Sequence, residues 1–134
     1  NADAPIELFH GYTYSGHPVA CAAALATLDI YKEEGLFEHA GEQAPKIEKA
    51  AHSLKGTKHI IDIRNLGVIA ALELEPRGNA VGARGFEDMK KAWDMGLMVR
   101  ATGDTLAFSP PLIVQDSQID EMFTTVKSAL EQVD

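Results

Sequence analysis

The chain has 134 residues, with 12 Lys and Arg against 20 Asp and Glu, a formal net charge of −8 and 46% hydrophobic residues. That suits one domain of ordinary size with a sizeable core and excludes a disordered chain. The acidic balance offers no basic face to nucleic acid, the single cysteine excludes an internal disulfide framework or a Cys-rich zinc site, and no apolar run approaches the ~20 residues of a membrane span.

Residues 1–7 show no initiator Met, basic stretch or apolar stretch. The expectation is a cytoplasmic globular piece that belongs to something longer. After a polar leader (1–5), the segment IELFHGYTYS (6–15) reads as an extended stretch running into a loop. A helix is predicted over 18–34. Pro18 suits its first turn, the Ala-rich run after it has high helix propensity, and Gly35 closes it. Its first three turns are small and apolar all round, so the helix is expected to be buried by other protein surfaces, with Cys21 an inert small hydrophobe inside.

A second helix is predicted over 36–54. Leu36, Phe37, Ala40, Ala44, Ile47, Ala50, Ala51 and Leu54 recur at helical spacing, and Pro45 suggests a kink. The pattern then changes to two β-like runs, 60–64 and 68–74, joined by a turn or bulge at Asn65-Leu66-Gly67. A short helix over 86–95 places Phe86, Met89 and Trp93 on one inward face. Two further strands, 97–100 and 105–109, flank Thr102-Gly103-Asp104. The last helix is expected to open at Ser117 with Asp120 as its capping partner, burying Ile119, Met122, Phe123, Val126, Leu130 and Val133. Helices segregated around about four mostly antiparallel strands make an α+β fold from about Leu36 onward. Residues 1–35 read as an appendage that belongs against another body.

No dinucleotide fingerprint, phosphate loop or metal motif is present. Two places nonetheless invite anions. Between Gly11 and Gly16 a loop bearing Tyr12, Thr13, Tyr14 and Ser15 enters a helix N-terminus, where unpaired N–H groups and the helix dipole favour negative charge. On spacing alone the same residues also read as loop-packing aromatics with a Ser cap. Arg100, beside a Gly-Asp turn, offers a planar fork to a carboxylate; it also reads as a solvent-directed Arg or a partner for Asp104. His10 and His17 have no metal-pair spacing, and His39, His52 and His59 read as surface residues. Trp93 and the methionines 89, 95, 98 and 122 read as core.

The stretch FHGYTYSGHPVACAA (9–23) closely resembles the class III (omega) aminotransferases. IDIRNLG (61–67) and VRATGDTL (99–106), with Pro110-Pro111-Leu112 behind it, agree in order and spacing with the C-terminal third of such enzymes. The likeness covers essentially the whole chain. Within the class it is strongest to members that pass an amino group from beta-alanine or another omega-amino acid to pyruvate.

The resemblance implies pyridoxal 5'-phosphate as cofactor and a fold-type I transferase. Residues 1–35 would close its large domain, carrying the cofactor-phosphate loop and an interdomain helix, and residues 36–134 would be its small C-terminal α+β domain. It makes Thr13 a ligand of the cofactor phosphate, Tyr12 a contributor from its backbone or flank, and the loop a reach across a homodimer interface. It makes Arg100 the partner of the carboxylate of the amino or keto acid. It implies no metal, nucleic-acid or membrane role. The lysine that carries the cofactor lies upstream in the family, and none of the eight lysines here has surroundings that would lower an amine's pKa. No catalytic residue is therefore assigned, and the chain alone is expected to be inactive. The alternative is a stand-alone, non-catalytic binding module derived from the same family.

Overall fold

The computed structural model describes residues 11–134; the leader (1–5) and residues 6–10 of the extended stretch, His10 among them, lie outside the described residues. The chain divides into two compact units, Asn1–Glu34 and Gly35–Asp134.

In the first unit α1 spans Pro18–Glu33, with Pro18 in its first turn. His17 is the N-cap, its Nδ1 accepting the Ala20 N–H at 3.4 Å. Gly35, at φ +61°, follows the last turn and is itself the N-cap of α2, a left-handed position that costs glycine nothing. No residue of α1 is buried and Cys21 is exposed. Small apolar residues on every side therefore do not make this helix a core element among the described residues.

In the second unit, α2 (Leu36–His52) runs through Pro45 and buries Leu36, Gln43, Ile47 and Ala51. Then come β1 (Ile60–Leu66), β2 (Ile69–Leu74), α3 (Ala83–Asp94), β3 (Arg100–Thr102), β4 (Thr105–Phe108) and α4 (Asp116–Leu130). The strands form one antiparallel sheet in the order β1-β2-β4-β3. Each sequence-adjacent strand pair turns tightly on a glycine with positive φ, Gly67 (+57°) and Gly103 (+59°). Two-residue hairpin loops need that conformation to match strand twist.

Register sorts the side chains into two faces, because neighbours along a strand point to opposite sides. The row Ile63–Leu72–Leu106–Ala101 points one way, and α2, α3 and α4 lie on that side, joined to it by Ala70, Leu74 and Phe108. Phe108 of β4 meets Phe123 of α4 with ring centroids 5.1 Å apart. The opposite rows, Asp62–Glu73–Thr105–Thr102 and Arg64–Ala71–Ala107–Arg100, are exposed or half-buried. No helix of this unit covers them.

Three expectations are corrected. α4 starts at Asp116, not Ser117: Gln115 is the N-cap and its N–H donates to Gln118 Oε1 at 2.9 Å, so the reciprocal pair sits two residues before the Ser117–Asp120 pair. Residues 97–99 are not strand; β3 begins at Arg100. Most tellingly, α3 turns a different face inward. Phe86 and Trp93 are exposed, Trp93 at 62%, and Met95 and Met98 are exposed as well, while Arg84, Gly85, Asp88 and Ala92 are buried.

The cause of that rotation is a contact with the β3–β4 turn. Asp104, in the β3–β4 turn, accepts the Gly82 N–H at 2.6 Å and the Gly85 N–H at 3.0 Å. A carboxylate is thus fixed on the first turn of α3, where free N–H groups and the dipole favour it. Gly85 packs directly on this turn: a Cβ there would stand 2.5 Å from the Gly103 carbonyl oxygen. With residue 85 facing the turn, 88 and 92 follow inward at helical spacing, and Phe86 and Trp93 are carried out to solvent.

Candidate functional site

Tyr12 and Thr13 lie in the turn that leads into α1, and both are exposed. The Ser15 N–H donates to the Tyr12 carbonyl at 3.0 Å and the His17 N–H to the Tyr14 carbonyl at 3.3 Å. This folds the loop back just before the helix start. A hydroxyl and backbone N–H groups beside a helix N-terminus are a donor set suited to a phosphate.

Arg100 opens β3, three residues before Gly103, on the sheet face that no helix of its own unit covers. It is exposed, and no carboxylate of the described residues lies within ion-pair distance of it. The alternative pairing with Asp104 does not form, because both Asp104 oxygens accept backbone N–H groups of α3. Arg100 borders a groove of about 910 Å³ between the β3–β4 end of the sheet and α4, lined also by Met98, Phe108, Pro110, Ile113 and Met122. The structure does not bring Thr13 and Arg100 together within one unit: they belong to different ones.

The other three arginines and three of the lysines are committed elsewhere. Arg64 bonds Asp62 at 2.7 Å and Glu73 at 2.6 Å, and both bonds strengthen its hold on its proton. Arg77 pairs with Glu87 at 2.8 Å and donates to the Asp134 carbonyl; buried Arg84 donates to that carbonyl and to Glu75's. Lys46 pairs with Asp116 at 2.6 Å, which holds the Asp116 carboxyl below its ordinary range. Lys58 donates to the Val133 carbonyl, and Lys90 stands over the Phe86 ring. Lys91 is half-buried and the other seven lysines are exposed. The donors present thus fit the phosphate end of a pyridoxal cofactor. Lys46, Lys49 and Lys127 line a second groove of about 530 Å³, but each is exposed to solvent, unlike the desolvated amine that the cofactor's reactive end needs.

Several polar groups escaped the sequence reading. Asp88 is fully buried with neither oxygen hydrogen-bonded, and burial pushes its carboxyl up to about 7. His59, expected at the surface, is half-buried at φ +70° with an unpartnered Nε2; burial first, then nearby Arg84 and Lys58, hold it below its ordinary value. His39 is also half-buried, its Nε2–H donating to the Val114 carbonyl at 2.9 Å. An Asp two residues after the Gly85-Phe86 pair carries no burial signal in sequence; the Gly103-Asp104 turn, as an external cap for a helix, does.

Among the described residues no group of three or more His, Cys, Asp or Glu side chains is placed to hold a metal ion, and no helix is long and apolar enough to cross a membrane. Comparison with known proteins then decides the family. The sequence model for aminotransferase class-III matches residues 2–130. The chain belongs to the class III aminotransferases. An omega-aminotransferase of Caulobacter vibrioides is 53% identical over 133 residues, which are 99% of this chain and 30% of that protein. A beta-alanine–pyruvate aminotransferase of Pseudomonas aeruginosa is 44% identical over 128 residues, 96% of this chain and 29% of that one. Among solved structures, a thermostable omega transaminase mutant from Pseudomonas jessenii superposes with a TM-score of 0.84 at 36% identity, over 93% of this chain and 29% of its own. The family's α+β fold is therefore that of the chain, which spans about 30% of the length of the relatives it matches.

Proposed function

We propose that the chain is the C-terminal portion of a pyridoxal-phosphate aminotransferase that moves an amino group from beta-alanine or another omega-amino acid to pyruvate. Residues 1–35 close its large domain and residues 36–134 form its small domain. The observation that carries this reading is Arg100: an exposed guanidinium that meets no carboxylate of the described residues, on a sheet face that no helix of its own unit covers, in a chain whose family transfers amino groups. The beta-alanine and pyruvate assignment is supported by the names of two relatives.

In this reading Arg100 grips the carboxylate of the amino or keto acid through paired N–H donors and so orients the reacting carbon. The Thr13 hydroxyl, with the Tyr12 flank and the loop N–H groups, holds the cofactor phosphate of the neighbouring subunit in a homodimer. The small, apolar first turns of α1, with no residue buried among the described residues, support an assembly larger than this chain. The bound cofactor supplies the electron sink for amino transfer, and a lysine outside this chain carries it, so the 134 residues alone are inactive. A single cysteine fits a cytoplasmic setting.

The test uses the intact enzyme. Arg100→Ala is expected to lower kcat/KM for pyruvate by at least about tenfold relative to a carboxylate-free aldehyde acceptor, as loss of a charge-assisted pair predicts. Equal losses on both acceptors refute the carboxylate role. Thr13→Ala is expected to weaken cofactor retention; unchanged cofactor affinity refutes the phosphate role.

A further inference from the structure

Arg100 is one end of a row. Directly across the β3–β4 ladder it faces Ala107, Ala107 faces Ala71, and Ala71 faces Arg64. All four point to the helix-free side, at strand spacings of about 4.8 Å. The row is therefore a shallow trough, floored in the middle by two methyl groups and ended by two guanidiniums. The Arg64 end is neutralised by Asp62 and Glu73. Arg100 is the one member of the row whose charge meets no carboxylate of the described residues.

Position 107 has a direct bearing on that free charge. Cβ atoms of residues directly opposed across an antiparallel ladder stand about 4.5–5.5 Å apart, so the 107 side chain is the nearest neighbour of Arg100 across the ladder. Alanine is a weak strand former, and outward positions of a strand favour Val, Ile, Thr or an aromatic. The fold itself gains little from Ala107, which adds nothing to the apolar core on the other face. Its small size does leave free the volume beside the guanidinium.

We propose that Ala107 is a specificity-determining residue: it keeps open the space that the carboxylate-bearing end of the substrate occupies against Arg100. The proposal rests on the carboxylate role of Arg100 given above. Bulk at position 107 competes with the substrate for that space, so it discriminates against acceptors held by their carboxylate and not against acceptors that lack one. The size of the effect follows from pocket sterics, where one or a few methylene groups change kcat/KM by about 10–200-fold.

The experiment compares Ala107→Val and Ala107→Leu with the parent in the intact, cofactor-loaded enzyme, using pyruvate and propanal as acceptors. The ratio of pyruvate to propanal kcat/KM is expected to fall about tenfold with Val and further with Leu, carried by a rise in KM for pyruvate at little-changed kcat. Ala107→Ser, which adds a single oxygen, extends the series should Leu lower the melting temperature, and it is expected to move the ratio least. An unchanged ratio across the series, with Arg100→Ala still selective against pyruvate, overturns the proposal and leaves the Arg100 reading standing. Failure of Arg100→Ala to discriminate between the acceptors overturns both.

Discussion

Asp88 gives the sharpest physical prediction. Its carboxyl is fully buried and its two oxygens have no hydrogen-bond partner. The charged groups on the elements around it are turned elsewhere. On α3, Arg84 donates to the Glu75 and Asp134 carbonyls, and Glu87 pairs with Arg77. Asp104 caps the helix, Arg100 stands on the opposite sheet face, and the buried residues of α4 are all apolar. Burial alone therefore raises the carboxyl from an ordinary 3.8 to about 7. At 1.36 kcal/mol per pH unit, this stronger hold on the proton corresponds to about 4 kcal/mol. The folded state binds the Asp88 proton more tightly than the unfolded chain. Its contribution to stability is thus greatest below about pH 4, is lost as pH rises from about 4 to about 7, and is level above that.

Asp88→Asn keeps the shape and removes the ionisation. The variant is expected to match the parent near pH 3.5 and to exceed it at pH 8 by up to about 4 kcal/mol. Urea unfolding followed by far-UV circular dichroism, run on both chains across this range, measures the difference. Every other titrating group, including His59, whose lowered value makes stability fall as pH drops below its ordinary range, is common to both chains and cancels. Parallel stability curves for the two chains would refute the argument, as would a carbon-13 titration that places the Asp88 carboxyl near 4.

The helix-capping turn makes two more predictions. Asp104→Ala removes the acceptor for the Gly82 and Gly85 N–H groups and is expected to cost about 1–2 kcal/mol in chemical unfolding, with Asp104→Asn costing less because one oxygen remains. Gly85→Ala puts a methyl 2.5 Å from the Gly103 carbonyl oxygen and 2.9 Å from Asp104 Cα; backbone must move, and a loss of about 3 kcal/mol is expected in the same assay. The Lys46–Asp116 pair, with side chains 44% and 64% exposed, is the contrast: Lys46→Ala is expected to leave the melting temperature unchanged at physiological salt.

Much of the fold was legible because local signals agreed. The Ala-rich run behind Pro18, the apolar periodicity of α2 and the glycines before each hairpin turn all describe backbone preferences that tertiary packing had no reason to override. α3 was not legible in the same way. Phe86, Met89 and Trp93 make a sound apolar stripe, yet a contact from residue 104, distant in sequence, fixes the helix's rotation and buries Arg84 and Asp88 instead. Gln115 was passed over as a cap because Ser and Asp stood close by in Ser117 and Asp120. For the proposed site, the residue types at 13 and 100 marked them in sequence as candidate anion grips. What disqualified the competing partner of Arg100 was the commitment of Asp104 to two amides, a fact of geometry alone.

That same turn has a mechanical consequence. Within five residues it reverses the chain from β3 to β4, seats the first turn of α3 and, through the Asp104 carbonyl, accepts the Leu74 N–H at the end of β2 at 2.8 Å. Arg100 stands three residues, about 10 Å of strand, from the Gly103 of this knot. The guanidinium is thus anchored at its root to three elements at once, and a disturbance that loosens the start of α3 will register at the other end of the lever as an arginine that has lost its aim.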